Sequence, residues 1–517
     1  MTGSEVELKL TVASENLPTL SKAPVLKAGK PKVEHLESIY FDTADFRLRD
    51  RAITLRIRRR DDSFIQTLKT ASRVAGPLAH RGEWESVVSS DRPDLAALPD
   101  GEARSLLGVI TEAELVPVFE SRIDRTVRLI DNRVEVAFDT GEIRATNGET
   151  EAVSEIELEL KGGEPQHLFD IALELAKLTG VRVETRTKAE RGYALLAGTR
   201  RGAVKASRLD IESDATGEQA LELMVRDCLN HLLVNEACAL QGEDAEGIHQ
   251  MRVALRRLRS ALVLFRRFIP AAHYDWVTTE VKWLATSLGA ARDWDVFKSA
   301  LLTPIQAALP GTPELDTLAA AAEQARLAAY DAARAAIVSN RYTILLLRLN
   351  AWLESRAWRD QRLSEESAQL FRPVRELADG LLAQRQRIAC KRGRHFPHLR
   401  AEERHEVRKA LKKLRYAIEF FQSLYDSKPM RRYLRPLETL QDDLGHLNDV
   451  ATARLLIAKL DRTGADASTA ASWWVGGGIV IGWHARGGAT LGPEVNGHWD
   501  EFVAAKPFWT EPEPALA

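Results

Sequence analysis

Glu5-Val-Glu-Leu-Lys9 alternates charged with apolar residues, and the same beat returns at Leu55-Arg-Ile-Arg58 and Ser154-Glu-Ile-Glu-Leu-Glu159. A period of two marks β-strands, because successive side chains leave a strand on opposite faces and residues i and i+2 share a face about 6.6 Å apart. Glu5, Glu7 and Lys9 therefore point one way, as do Arg56, Arg58 and Arg60; Arg81, Glu83 and Glu85; Glu135 and Asp139; and Glu155, Glu157 and Glu159. Val6, Leu8, Leu55, Ile57, Trp84, Val136, Ile156 and Leu158 point to the other side. An ordinary sheet packs its apolar face on a core and leaves charge to water. Strand after strand carrying acid and base together on one face suits a second arrangement, a closed barrel whose charged parity lines a wet tunnel. Such an interior fits a metal–triphosphate complex, since hard divalent ions take carboxylate oxygens and Arg and Lys neutralise phosphate oxygens. Parity alone leaves both arrangements open.

The alternation runs over residues 4 to 161, followed by a helical segment from Pro165 to Thr179, a short Val181–Glu184 strand and a small helix through Tyr193. Residues 199–212 lose the pattern and read as a linker. From about 213 to 463 the period is helical, 213–500 reads as one helical domain, and 501–517, ending in EPEPALA, reads as a tail. At 517 residues the chain exceeds one core. A net charge of −2 gives no global pull toward polyanions, so anion binding has to come from local clusters. Cys228, Cys238 and Cys390 lack disulfide or zinc spacing, which fits a reducing cytoplasm. The N-terminus lacks the apolar run of a signal peptide. The longest apolar stretch, Trp473 to Trp483, is about half of a membrane span and reads as a tightly packed helix or loop.

The helical half repeats itself. His249, Arg252, Arg256 and Arg259 recur as His405, Arg408, Lys412 and Arg415, each 156 residues on; Leu255, Leu258 and Leu262 recur as Leu411, Leu414 and Ile418 at the same offset; and Leu288-Gly-Ala-Ala-Arg-Asp293 recurs as Leu444-Gly-His-Leu-Asn-Asp449. One offset across three patterns predicts two related helical units packed as a pseudo-symmetric pair. Each basic set falls at i, i+3, i+7 and i+10, a stripe opposite the apolar one. A lone stripe of this kind is ordinarily a solvated surface. Two copies of one sign repel unless an anion sits on them, and Lys391–Arg415 adds ten Lys or Arg against three Glu.

The strand half resembles the CYTH, or triphosphate tunnel metalloenzyme, family. Glu5-Val-Glu-Leu-Lys9 matches its ExExK signature, and Tyr40-Phe-Asp-Thr43, Leu55-Arg-Ile-Arg58, the Lys69 strand, Arg81-Gly-Glu-Trp-Glu85, Arg125, Asp139, Glu155-Ile-Glu157 and Thr187-Lys-Ala-Glu-Arg-Gly-Tyr193 follow in family order. Thr187 stands where the family usually has Ser, which keeps the hydroxyl. The resemblance implies an eight-stranded antiparallel β tunnel acting on triphosphates with Mg2+ or Mn2+. It implies that Glu5, Glu7, Asp139, Glu155 and Glu157 hold metal, that Lys9, Arg56, Arg58, Lys69, Arg125 and Lys188 hold phosphate, and that Glu5, Glu7 and Lys9 are catalytic. Glu83 or Glu85 would orient one of these groups. The repeated His-x-x-Arg-x-x-x-Arg/Lys-x-x-Arg motif resembles the CHAD domain, a conserved-histidine helical domain. That resemblance implies polyphosphate binding by His249, Arg252, Arg256, Arg259, His405, Arg408, Lys412 and Arg415. Asp293, Asp295, Asp443 and Asp449 read as helix caps or as braces for the arginines.

The expected architecture is α+β and multidomain: a tunnel at 1–198, the linker, and an all-α pseudo-symmetric double helical bundle. The expected activity is metal-dependent hydrolysis of inorganic triphosphate coupled to polyphosphate binding, in the cytoplasm and at polyphosphate granules. Adenylate cyclase, thiamine-triphosphatase or nucleoside-triphosphatase activity and a non-catalytic polyphosphate scaffold are the alternatives. Nucleic acid is not an expected partner, because the basic stripes lack interleaved aromatics for base stacking. Nothing in the sequence gives the oligomeric state.

Overall fold

A computed structural model describes residues 3–27, 29–60, 63–70, 73–75, 78–99, 101–198, 202–362, 364–460 and 466–510. The chain divides into two compact units, 1–201 with 338–357, and 202–337 with 358–517.

The strands of the first unit are β1 (Gly3–Val12), β2 (Lys32–Thr43), β3 (Thr54–Arg60), β4 (Ser63–Lys69), β5 (Arg73–Ala75), β6 (Leu78–Val88), β7 (Leu115–Ile130), β8 (Val134–Ala145), β9 (Thr150–Leu160) and β10 (Val181–Val183). They pair antiparallel in the order β10-β1-β9-β8-β7-β2-β3-β4-β6-β5, and β1 also pairs with β6, setting Glu5 opposite Arg81 and Leu8 opposite Leu78. That last pairing closes β1, β9, β8, β7, β2, β3, β4 and β6 into an eight-stranded ring, with β5 and β10 added outside it. Closure removes the open edges that a sheet would otherwise expose.

The apolar parity faces outward. Leu8, Leu55, Val136, Ile156 and Leu158 are fully buried. Part of this outer face carries a core of Phe41, Leu48, Ile57, Leu68, Trp84, Leu98 and Leu107, and part is covered by the helix Gln166–Leu178, whose Leu168, Phe169, Ala172 and Leu175 are buried. The charged parity faces into the ring. The helix Lys188–Ala197 docks on β7, β8 and β9. At Gly192 a Cβ would come within 2.4 Å of the Phe119 ring, so only glycine permits this approach.

The helix Asn340–Glu354, expected in the helical half, belongs to this unit. It packs on helix 166–178 and β10, with Asn340 Nδ2 donating to Ala176 O at 2.5 Å and Thr343 Oγ1 to Val181 O at 2.7 Å. Its Tyr342, Leu345, Leu346, Leu347, Leu349 and Leu353 are all buried. A helix apolar nearly all round has to be enclosed, and its periodicity does not say by what.

The second unit is helical. Helices start at Gly217, Ala245, Ala271 and Pro313, and again at Val374, Ala401, Ser427 and Ala467, a spacing of 156 residues or nearly so. Helix Ala245–Leu264 packs on Gly217–Val234 as Ala401–Phe421 packs on Val374–Arg392. The stretch 202–212, expected as a linker, is held along this unit. Leu209 and Ile211 are buried, Asn235 exchanges hydrogen bonds with the Val204 backbone, and the Ser423 hydroxyl does the same with Ile211. Of the expected tail, 511–517 lie outside the described residues, while Phe508 and Trp509 are buried against Tyr433. Trp473 to Trp483 lie in the helix Ala467–Ala504. There Gly476 and Gly477 admit Glu314 and Ile457 so closely that a Cβ would meet them at 2.6 and 2.9 Å. Among the described residues no helix is long and apolar enough to cross a membrane.

Candidate active site and basic cluster

The ring encloses a cavity of about 1260 Å³ whose lining includes Glu5, Glu7, Lys9, Arg56, Arg58, Lys69, Arg125, Glu157 and Lys188. Its side chains pair off across strands. Lys69 binds Glu5 at 3.0 Å and Glu83 at 2.9 Å, and Lys9 binds Glu7 and Glu157, each at 3.2 Å. Arg125 forks onto Asp139, with Nε and Nη2 at 2.7 and 2.6 Å, and also reaches Glu157. Lys188, from the first turn of its helix, contacts Asp139 at 2.8 Å, Glu157 at 3.0 Å and Glu155. Burial alone would raise the Glu157 carboxyl, but Lys188, Lys9 and Arg125 outweigh it and hold Glu157 well below the usual range. Lys188 rises in turn: burial acts against its charge, and Asp139, Glu155 and Glu157 more than compensate.

Arg58 stands apart. Its Nε donates to Ser38 Oγ at 3.2 Å, and among the described residues no carboxylate lies within 4.0 Å of its guanidinium. Burial, with Arg56 and Arg125 nearby, pushes Arg58 down to about 10. It is a cation without its own counter-ion in a cavity where Lys9, Arg56, Lys69, Arg125 and Lys188 each pair with a carboxylate, an arrangement ready for an anionic ligand.

Asp139, Glu155 and Glu157 bring one oxygen each within 4.8 Å of one another. Three carboxylates at that spacing suit a hard divalent cation. Asp139 and Glu155 sit behind the cavity wall, 0% and 1% exposed. Lys188 touches all three, so an ion among them would compete with that ammonium. Among the described residues the grouped carboxylates are these three; Lys9 bridges Glu7 to Glu157, and Lys69 holds Glu5. Glu83 reaches Lys69 and Arg56, the latter at 3.8 Å, Glu85 accepts from Thr67, and Glu159 pairs with Lys161 at 2.6 Å.

Two participants were not drawn from the sequence. Arg191 binds Glu155 at 3.0 Å and Glu151 at 2.8 Å. Its i+3 spacing from Lys188, which puts both on one helix face, was the available signal. Asp42, fully buried, accepts from Tyr193 Oη at 2.8 Å and from the Thr43, Leu48 and Arg49 amides, which ties the Lys188 helix to β2. Only the tertiary structure shows that pairing.

In the helical unit the two stripe helices, 245–264 and 401–421, pack against each other, and Arg256 Nε donates to Tyr416 Oη at 3.3 Å across them. Arg252, Arg256, Arg408 and Lys412 converge there. Arg252 donates to Ala285 O at 2.9 Å and lies 3.9 Å from Asp293, in space left by Gly289, where a Cβ would meet its Nη1 at 2.9 Å. Burial, then Arg292, lower His249 to about 4, so it is neutral. His405 contacts Asn448 at 2.8 Å, and Asn448 is the repeat partner of Arg292. Arg415 leaves the group for Glu419 at 2.8 Å and Glu438 at 3.4 Å, and Arg259 is exposed. On a helix of 3.6 residues per turn the i+10 position lies close to the angular position of i+3 but about 10 Å further along the axis, and that axial distance takes both residues past the convergence. Asp295 accepts from Tyr330 at 2.9 Å, and Asp443 contacts His498 at 2.6 Å.

Residues 3–193 match the CYTH domain model and residues 223–458 the CHAD domain model. The chain carries a CYTH domain followed by a CHAD domain. The CYTH part is similar to an inorganic triphosphatase of Haemophilus influenzae, 34% identical over 205 residues, which cover 37% of this chain and 54% of the relative. It is thus similar to only about half the length of that protein. An uncharacterised Mycobacterium tuberculosis protein is 28% identical over 186 residues, 34% of each chain. The CHAD part resembles the crystal structure of the CHAD domain from the plant Ricinus communis, with 31% identity and a TM-score of 0.51, covering 59% of this chain and 98% of that one.

Proposed function

We propose that the CYTH domain hydrolyses inorganic triphosphate in a metal-dependent reaction and that the CHAD domain binds polyphosphate, in the cytoplasm and at polyphosphate stores. The observation that carries the first half is the cavity inside the strand ring, with Lys9, Arg56, Arg58, Lys69, Arg125 and Lys188 on its wall beside Glu5, Glu7 and Glu157. The Haemophilus relative's activity supports the same reading. Asp139, Glu155 and Glu157, together with Glu5 and Glu7, would hold magnesium or manganese, which when bound supplies charge neutralisation of phosphoryl oxygens and acidification of water. The chain's own cations bind and orient the phosphates. Arg58 accepts a phosphoryl group without breaking an ion pair, whereas Lys9, Lys69, Arg125 and Lys188 exchange a carboxylate for it. The barrel wall lowers the effective dielectric around the bound phosphates, which strengthens each of these contacts. The only aromatic residues among the described lining are Tyr40 and Tyr193, and both are buried to 9% exposure or less, so neither offers a platform for a base. That favours inorganic triphosphate over nucleotides. Phosphate release from tripolyphosphate, ATP and thiamine triphosphate, each with magnesium or manganese, tests the proposal. Turnover of tripolyphosphate well above the other two is expected, and its absence with both metals would overturn it.

For the CHAD domain, the convergence of Arg252, Arg256, Arg408 and Lys412 carries the reading. Asp293 opposes Arg252, and Asp449 opposes Arg408 and Lys412.

A further inference from the structure

The two repeats differ at one position of the basic convergence: Arg256 in the first copy is Lys412 in the second. The exchange matters because arginine stays charged at any physiological pH, while a buried lysine can give up its proton. Lys412 is half-buried, and among the described residues no carboxylate lies within 4.0 Å of its ammonium. Helix 245–264 presents Arg252 and Arg256 to it, with neutral His249 one turn before Arg252. Its own helix adds Arg408 one turn back and Tyr416 one turn on, the latter engaged by Arg256. From helix Ser427–Leu460, Asp449 opposes this field. Arg292 and Asp293, on helix Gly289–Val296, act on Arg252. Helix 374–392, on the far side, directs Arg385 and Arg392 at Lys413.

We infer that Lys412 is the proton switch of the CHAD site: it is neutral in much of the free protein, takes a proton from solvent when a run of phosphates settles on the cluster, and so makes affinity fall as pH rises. This rests on the reading that the cluster binds polyphosphate. No covalent bond to phosphorus forms; one proton moves from water or buffer to Nζ and stays while the anion is bound. The direction follows from the local field. Burial, then Arg408 and Arg256, bring Lys412 down to about 7, with Asp449 pulling the other way. An anion reverses the field and restores the charge.

The test is calorimetric titration of the full chain with long-chain sodium polyphosphate in buffers of different ionisation enthalpy. With Lys412 as the switch, proton uptake per site should approach one above about pH 8, and affinity should fall close to tenfold per pH unit over the same range. Lys412→Arg should bind as well as the parent near pH 6 but lose this slope and most of the uptake. Lys412→Gln, which cannot be charged, should match the parent at alkaline pH and fall behind it at acid pH. Binding with no proton uptake, or an unchanged slope in Lys412→Arg, would overturn the switch while leaving polyphosphate binding intact. No binding at any pH would overturn both.

Discussion

Replacing Arg58 with methionine should make the ligand-free CYTH domain more stable and a worse binder. At neutral pH the residue is charged in both folded and unfolded chains, because even its lowered folded value of about 10 lies above that pH. For a base whose folded value is depressed, the cost of the charge is fully present below the folded value and disappears only as pH rises through it. The gap between free arginine and about 10 corresponds to about 3 kcal/mol as an upper bound. The hydrogen bond to Ser38 is lost in the variant, and leaving that hydroxyl without its donor takes back about 1 kcal/mol. A net gain of about 2 kcal/mol remains. Against it stands the loss of a charge-assisted contact to phosphate, worth about 1.5 to 3 kcal/mol, or roughly 10- to 150-fold in affinity. Thermal unfolding of the full chain followed by differential scanning calorimetry, with and without tripolyphosphate, reads both effects. The variant should melt higher than the parent alone and gain less from added tripolyphosphate. A lower melting temperature, or undiminished ligand stabilisation, would refute the idea that Arg58 is the uncompensated cation of the tunnel.

Further expectations follow from the same geometry. Glu5→Gln or Glu7→Gln should cut phosphate release by about 100- to 1000-fold with circular dichroism unchanged, since loss of a group acting on developing charge is worth about 2.7 to 4 kcal/mol; near-parental turnover in both would remove these carboxylates from the mechanism. Glu157→Gln strands Lys9, Arg125 and Lys188 around a neutral amide and should destabilise by roughly 3 to 5 kcal/mol, as breaking a buried ion pair does. Because Glu157 is held well below its usual value, its contribution is present above the unfolded carboxylate range and is lost as pH falls through the folded value, so parent and variant should converge in strong acid. Gly192→Ala forces the Lys188 helix off Phe119 and should lower the melting temperature measurably. Replacing Arg252, Arg256, Arg408 and Lys412 with alanine should weaken polyphosphate binding and flatten its salt dependence by about 0.7 to 0.9 per lost contact, taking nucleic-acid behaviour as the guide; an unchanged slope would mark the cluster as a solvated face.

Much of this was legible in the sequence because strand parity is a hard constraint. Glu5, Glu7 and Lys9 cannot share a face with Val6 and Leu8, and once the ring closes that face is the interior. The fixed offset of 156 likewise located the paired helices and the two residues of each stripe that face each other between them, Arg252 and Arg256 with Arg408 and Lys412. Tertiary facts without a local signature were not legible. Lys188 sits among Asp139, Glu155 and Glu157 because a helix docks through Gly192 and Tyr193, and nothing around residue 188 says so. Helix 340–354 is apolar on most sides, so its pattern predicts burial but not its partners, helix 166–178 and β10. The stretch 202–212 looked like a linker because two apolar anchors, Leu209 and Ile211, are too few to make a period.

The central claim is that the tunnel hydrolyses inorganic triphosphate with a divalent metal, and the most direct measurement is orthophosphate released from tripolyphosphate by the full chain with magnesium or manganese, before and after EDTA. Steady release that stops with EDTA and returns when excess metal is restored is the expected result. Release that continues unchanged in EDTA, or none with either metal, would contradict it.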